Sequence, residues 1–157
     1  MRKRLMSPIS GDRVSIDDGA LELVNLATVE ITSEDTAFPI EHALQFGSSV
    51  GWRAAVPGIQ TIRLIFDEPL GLRRIRLAFE ENQIRRTQEF VLRWSPDLGK
   101  TLREIVRQQW NFSSPHATRE TEDYTVDLSN VTLLDLTIEP DKENGKAHAS
   151  LLSLRLA

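Results

Sequence analysis

The chain contains no cysteine. Disulfides, thiolate nucleophiles and sulfur-ligated zinc are therefore excluded, and a reducing compartment is the easier home for it. Long apolar runs are missing too. Nothing approaches the roughly 20 residues that a membrane-spanning helix needs, and the greasy stretches are broken by Arg or Asp at every second position. Met1-Arg2-Lys3-Arg4 is charged like the start of an export signal, but Ser7, Pro8, Ser10, Gly11 and Asp12 stand where its apolar segment belongs. The expectation is a soluble, cytoplasmic protein without membrane association. Positive charge is not in excess either: the net charge is −4, which counts against nucleic acid as a partner, because phosphate binding draws on surplus Lys and Arg. His42, His116 and His148 have no metal-ligand spacing, and neither a G-x-S-x-G elbow nor a phosphate-cradling glycine loop occurs. Acidic pairs such as Glu80 and Glu81 or Glu120 and Glu122 are ordinary among 23 acidic residues. No enzyme, no cofactor and no metal site is expected.

What the sequence does contain is alternation of period two. Ile62, Leu64 and Phe66 share one side of a strand, as do Ile75, Leu77 and Phe79 against Arg74 and Arg76. The pattern returns at Phe90, Leu92 and Trp94, at Tyr124, Val126 and Leu128, at Leu134, Leu136 and Ile138, and at Leu152, Leu154 and Leu156. Turn residues punctuate it: Asp18-Gly19, Asp67-Glu68-Pro69-Leu70-Gly71, Ser95-Pro96-Asp97-Leu98-Gly99, Ser129-Asn130 and the 140–145 segment. About eight to ten short strands so spaced predict an all-β, antiparallel β-sandwich. One segment differs: Ile40, Ala43 and Leu44 fall at i, i+3 and i+4 behind Pro39, predicting a short helical turn over residues 39–45. Residues 1–10 show no period and are expected to fray, leaving 11–157 as a single domain whose 157-residue chain is long enough for one core.

From Thr28 onward the order of these pieces resembles the discoidin, or factor V/VIII type C, superfamily of galactose-binding-like domains. A strand ending in Thr32-Ser33-Glu34-Asp35 leads to Pro39-Ile40-Glu41-His42-Ala43-Leu44 and a turn closing on Gly51-Trp52. The paired strands around Ile62 and Ile75 follow, then Phe90-Val91-Leu92-Arg93-Trp94-Ser95-Pro96-Asp97, similar to the family's S-x-D-G hairpin. The resemblance implies a jelly-roll sandwich with ligand loops at one end, and in many relatives the binding of sugars. It also implies, in relatives, a structural calcium held by an Asp and a Glu. Phe46 and approximately Ser153 occupy those positions here, and calcium wants carboxylate oxygens, so no family-type calcium site is expected.

Ser95-Pro96-Asp97-Leu98-Gly99-Lys100-Thr101 matches the Asp-box pattern S-x-D-x-G-x-T. A single copy points to a hairpin stabilised by local capping rather than to a sialidase. Trp94 shares parity with Phe90 and Leu92 and belongs to the core. Trp52 and Trp110 stand open to two readings, core aromatic or stacking platform for a sugar ring. Trp110 leaves a strand for a polar loop with Asn111 and His116, and the loop Glu80 to Thr87 offers Glu81, Asn82, Arg85 and Arg86 beside Arg53. Amides, carboxylates and guanidiniums of this kind grip hydroxyls with directed hydrogen bonds. The candidate ligand-binding set is thus Trp52, Arg53, Glu81, Asn82, Arg85, Arg86, Trp110, Asn111 and His116. Two functions fit it: a non-catalytic carbohydrate-binding module, or a bacterial protein-interaction domain in the cytoplasm using the same fold without a sugar.

Overall fold

A computed structural model describes residues 19–157. The fraying expected of residues 1–10 lies outside them. Eight strands occur among the described residues: β1 (Ala27–Ile31), β2 (Trp52–Arg53), β3 (Gln60–Glu80), β4 (Arg86–Ser95), β5 (Arg103–Phe112), β6 (Arg119–Glu139), β7 (Ser150–Leu151) and β8 (Ser153–Leu156). Two single-turn helices, α1 (Leu23–Leu26) and α2 (Glu41–Leu44), accompany them. The second sits inside the predicted 39–45 turn. The first was not expected from the sequence.

The main departure concerns two turns. The segments around Ile62 and Ile75 are halves of one 21-residue strand, β3, and those around Tyr124 and Leu136 are halves of another, β6. The residues 67–71 and 129–130, expected as turns, are instead bends where the β3–β6 pairing shifts register between Ile65 and Arg74. Asn130 supplies a left-handed backbone there, with φ 56°. A bulge bends a strand and increases its twist, so two facing bends carry both strands from one layer into the other.

The first layer runs β1, β3 up to Phe66, β6 from Leu133, β4 and β5. The second contains β8, β3 from Ile75 and the first half of β6. Every neighbouring pair is antiparallel. Ile62, Leu64, Leu134, Leu136, Ile138, Phe90 and Leu92 face Ile75, Leu77, Phe79, Leu154 and Leu156 across the gap, all buried in one cluster. Burying each such side chain stabilises the fold by about 1.5–3 kcal/mol. Phe79 and Phe90 stack between the layers at 5.3 Å. The structure is the antiparallel sandwich that the alternation predicts. None of its helices is long and apolar enough to cross a membrane, among the described residues.

The Asp-box hairpin is held by its own side chains. Ser95 Oγ donates to Asp97 Oδ1 at 2.6 Å and accepts the N–H of Gly99 at 2.8 Å, while Asp97 Oδ1 accepts the N–H of Thr101 at 2.8 Å. The Ser95 hydroxyl and the Thr101 N–H hold the Asp97 carboxyl below its ordinary value.

Candidate functional site

A cleft of about 250 Å³ opens where the 45–51 loop, the 80–83 loop and the 150–152 segment meet. Gly51 brings the first of these close: its φ is 72°, and a Cβ there would strike the Leu151 carbonyl and stand 2.7 Å from the Leu152 Cα. Only glycine combines that backbone with that proximity. Behind it, β2 pairs with β7, Trp52 opposite Leu151 and Arg53 opposite Ser150. The Arg53 N–H donates to the Phe38 carbonyl at 3.2 Å, and its guanidinium lies over the Phe38 ring at 5.2 Å. Phe38 and Arg53 thereby form one wall, with Ser49 and Val50 beside them and Ser150 below.

The opposite wall is Glu80 to Gln83. Glu81 shapes it, accepting the N–H groups of Gln83 at 3.1 Å and Ile84 at 3.4 Å and the Nε of Arg86 at 2.8 Å. Burial alone would raise the Glu81 carboxyl, but the Arg86 hydrogen bond and the two backbone donors together hold it below the ordinary value. The residue is ionised and structural. At the rim, Glu80 pairs with Arg119 at 3.3 Å with both side chains exposed, a contact worth under about 1 kcal/mol.

Of the nine candidate residues, Trp52, Arg53, Glu81 and Asn82 reach this cleft. Trp52 does so only with an edge: it is 1 % exposed, and its Nε1 donates to the Ser33 carbonyl at 3.1 Å. Its core reading is the one the structure supports. Arg86 is corrected more sharply. Its side chain lies inside the sandwich over the Phe112 ring at 4.7 Å, with Nη1 donating to Pro140 O at 2.7 Å and to Gln88 Oε1 at 3.0 Å, so it meets no ligand. Parity signalled this, since 86, 88, 90 and 92 share one face of β4. Arg85 is exposed and lines neither this cleft nor the hollow described next. Trp110 and Asn111 belong to β5, which continues to Phe112 instead of ending before them, and they border a separate hollow with Gln109 and Ala117. His116 is exposed in the turn beyond. Trp110, Arg53 and Arg85 therefore do not converge on one surface.

Phe38, Ser49, Val50, Gln83 and Ser150 line the cleft without having been anticipated. Phe38 stands immediately before the helical pattern and reads as its flank. Ser150 reaches the cleft only because β7 returns beside β2.

Behind the 81–84 loop a polar chain runs inward. Gln88 Nε2 donates to Glu120 Oε1 at 3.1 Å, and Glu120 is fully buried. Burial, reinforced by the neighbouring Glu122 carboxylate, pushes the Glu120 carboxyl up to about 9, so it is protonated at neutral pH. In β8, Arg155 donates to the carbonyls of Ala43 at 3.0 Å and Gln45 at 2.8 Å, with its guanidinium over Phe46 at 5.2 Å. A resident positive charge on these carbonyls, next to a hydrocarbon ring, does not fit a calcium ion.

The architecture is an antiparallel sandwich with this cleft among its loops. The fold is that of family 32 carbohydrate-binding modules. A module from a family 31 glycoside hydrolase of Clostridium perfringens matches with TM-score 0.59 and 18% identity over 87% of this chain and 93% of that one. Another from the same organism, solved with GalNAc-β-1,3-galactose, matches with TM-score 0.61 and 18% identity over 87% and 98%. The module of the alginate lyase AlyQ, in complex with 4,5-unsaturated mannuronic acid, matches with TM-score 0.62 and 17% identity over 85% and 95%. No protein-family model and no curated protein matches the sequence. These likenesses overturn the cytoplasmic expectation, because the matched modules come from secreted bacterial enzymes. That expectation rested on the missing cysteine and on Ser7, Pro8, Ser10, Gly11 and Asp12 standing where an apolar export segment would lie.

Proposed function

We propose that this chain is a non-catalytic carbohydrate-binding module that takes the end of a glycan in the cleft between Phe38, Arg53 and the 80–83 loop. The observation that carries the reading is the cleft itself: a concave loop-end site joining an aromatic ring to directed polar groups, on a fold whose solved examples hold saccharides. Phe38 offers apolar surface to sugar C–H groups. Arg53 and the amides of Asn82 and Gln83 supply donors for hydroxyl oxygens, while Glu80 and Ser150 accept. Glu81 stays engaged with its own loop. Nothing in this set activates a nucleophile, and its work is orientation.

Calorimetric titration against neutral saccharides (galactose, N-acetylgalactosamine, N-acetylglucosamine) and uronic acids tests the reading. Binding that Arg53→Ala and Phe38→Ala each weaken by tenfold or more, on the order of the 1.4 kcal/mol per decade of a lost contact, supports it. Absence of response to every sugar, with the circular dichroism of a folded sandwich, overturns it.

A further inference from the structure

Glu120, Glu122 and Tyr124 of β6 stand opposite Phe79, Leu77 and Ile75 of β3, and residues directly opposite in paired strands point to the same side. Those β3 residues belong to the core, so the polar side chains of β6 face inward with them. Arg86 and Gln88 of β4 also point inward, in step with Phe90 and Leu92. Arg86, Gln88 and Glu120 are buried outright.

An unbroken run of hydrogen bonds leads from Glu120 to the cleft. Gln88 Nε2 donates to Glu120 Oε1 at 3.1 Å, and Gln88 Oε1 accepts Arg86 Nη1 at 3.0 Å. Arg86 Nε donates to Glu81 at 2.8 Å, and Glu81 accepts the Gln83 and Ile84 N–H groups of the cleft wall. Two atoms in this run are buried without a partner among the described residues: the donor Arg86 Nη2 and the oxygen Glu120 Oε2. A proton on Glu120 accounts for the second, since a protonated carboxyl donates and the Glu122 side chain is within hydrogen-bond reach. Burial and the Glu122 carboxylate favour that proton, against the pull of Gln88 and Arg86.

With Glu120 neutral, Glu81 is the one carboxylate that Arg86 serves. An ionised Glu120 adds a second and deeper one, and Nη2 is the donor left to answer it. A charged pair is stronger in the low-dielectric interior than at the surface. The titratable and charged groups around Glu120 are Glu122 and Tyr124 on its own strand, Arg86 on β4 and, beyond Arg86, Glu81. The facing parts of β3 and β5 bring Leu77, Phe79, Gln108 and Trp110, none of which titrates.

We infer that Glu120 is a positioning residue for the cleft: its neutral carboxyl, acting through Gln88, leaves the Arg86 guanidinium on Glu81, and loss of its proton draws that guanidinium inward and loosens the 81–84 wall. The consequence for sugar rests on the carbohydrate reading of the cleft, whereas the movement of Arg86 does not.

NMR of the free protein from about pH 6 to about pH 10, following the side-chain carboxyl carbons of Glu81 and Glu120 and the Nε of Arg86, tests the movement, with circular dichroism defining the range over which the sandwich stays folded. The Glu81 and Arg86 signals are expected to shift with the same midpoint as Glu120. Calorimetric titration of galactose, N-acetylgalactosamine and N-acetylglucosamine over the same range should show the affinity of any that binds falling by roughly fivefold or more through that midpoint, the low end of coupling between linked sites. Glu120→Gln, which keeps the shape and cannot ionise, should flatten both profiles. Glu81 and Arg86 signals that stay still while Glu120 titrates, or an affinity loss that persists in Glu120→Gln, overturn the inference and leave the sugar reading intact. Absence of binding by all three sugars at neutral pH counts against the carbohydrate reading, and the Glu81 and Arg86 signals then decide the role of Glu120 by themselves.

Discussion

Arg86 Nε meets Glu81 Oε1 at 2.8 Å from inside the sandwich, and this contact ties the wall of the cleft to the core. The Arg86 side chain is fully buried, whereas Glu81 retains 17% exposure. The ionised carboxylate in turn organises the N–H groups of Gln83 and Ile84. A residue buried behind the cleft thus sets the shape of the loop that lines it.

Arg86→Ala is expected to destabilise the protein by about 2–4 kcal/mol, since it leaves Glu81 and the Pro140 carbonyl without their partner. Arg86→Lys keeps the charge but loses the planar fork that serves Glu81, Gln88 and Pro140 together. Its stability loss should be smaller, and its sugar affinity should still fall. Urea denaturation and calorimetry read the two effects separately; a lysine variant that binds as well as wild type would refute the link between Arg86 and the loop.

Glu120 gives stability a distinctive dependence on pH. Its carboxyl is raised to about 9 in the folded state, against an ordinary value of 4.5, so between these values the folded protein holds a proton that the unfolded chain has released. Its contribution is complete below about pH 4.5 and is lost as pH rises through 9, with a slope of at most about 1.4 kcal/mol per pH unit. Glu120→Gln, which keeps the shape and cannot ionise, should remove this decline. The difference in unfolding free energy between variant and wild type should therefore favour the variant increasingly from pH 6 to pH 9. Parallel curves for the two proteins would contradict the assignment.

Arg155 holds the turn after α2 by donating to the Ala43 and Gln45 carbonyls. Arg155→Ala should lower stability by about 2 kcal/mol, in the range of hydrogen bonds from a charged donor. Because a guanidinium serves this turn, adding calcium or a chelator should leave the melting temperature of the wild type unchanged. A chelator that lowers it would show that a metal acts here after all.

Gly51→Ala tests the close approach of the cleft's two strands. The left-handed backbone at φ 72° costs an alanine about 1–2 kcal/mol, and the new Cβ collides with backbone rather than with a side chain able to turn away. A loss of at least about 2 kcal/mol is expected, together with weaker sugar binding, because Leu151 and Leu152 form part of the cleft. Gly145→Ala, where a Cβ meets nothing, serves as the neutral control in the same thermal unfolding assay.

The sandwich was legible because period-two alternation is a local property: Ile62, Leu64 and Phe66 must share a side whatever the rest of the chain does. The inward parity of Arg86, in step with Phe90 and Leu92, was equally present in the sequence, but its charge pointed to a ligand contact. Residues 67–71 and 129–130 show why local reading stops. Pro, Gly and Asn permit a hairpin turn and a sheet-switching bend alike, and only the pairing of Leu70 with Val131 and Leu72 with Leu128 decides between them.

By itself the sequence determined the all-β class, the half-buried faces of the strands, the self-capped hairpin at Ser95 to Thr101 and the short helical turn at Glu41 to Leu44. Each depends on neighbours within a few residues. Tertiary structure alone decided that Phe38, Arg53, Asn82 and Ser150 share a cleft, that Trp110 borders a different hollow, and that Arg155 sits on the carbonyls of a distant turn. These are contacts across 100 or so residues of chain, as from Ala43 to Arg155, and they exist only because the bends in β3 and β6 fold two layers over one core.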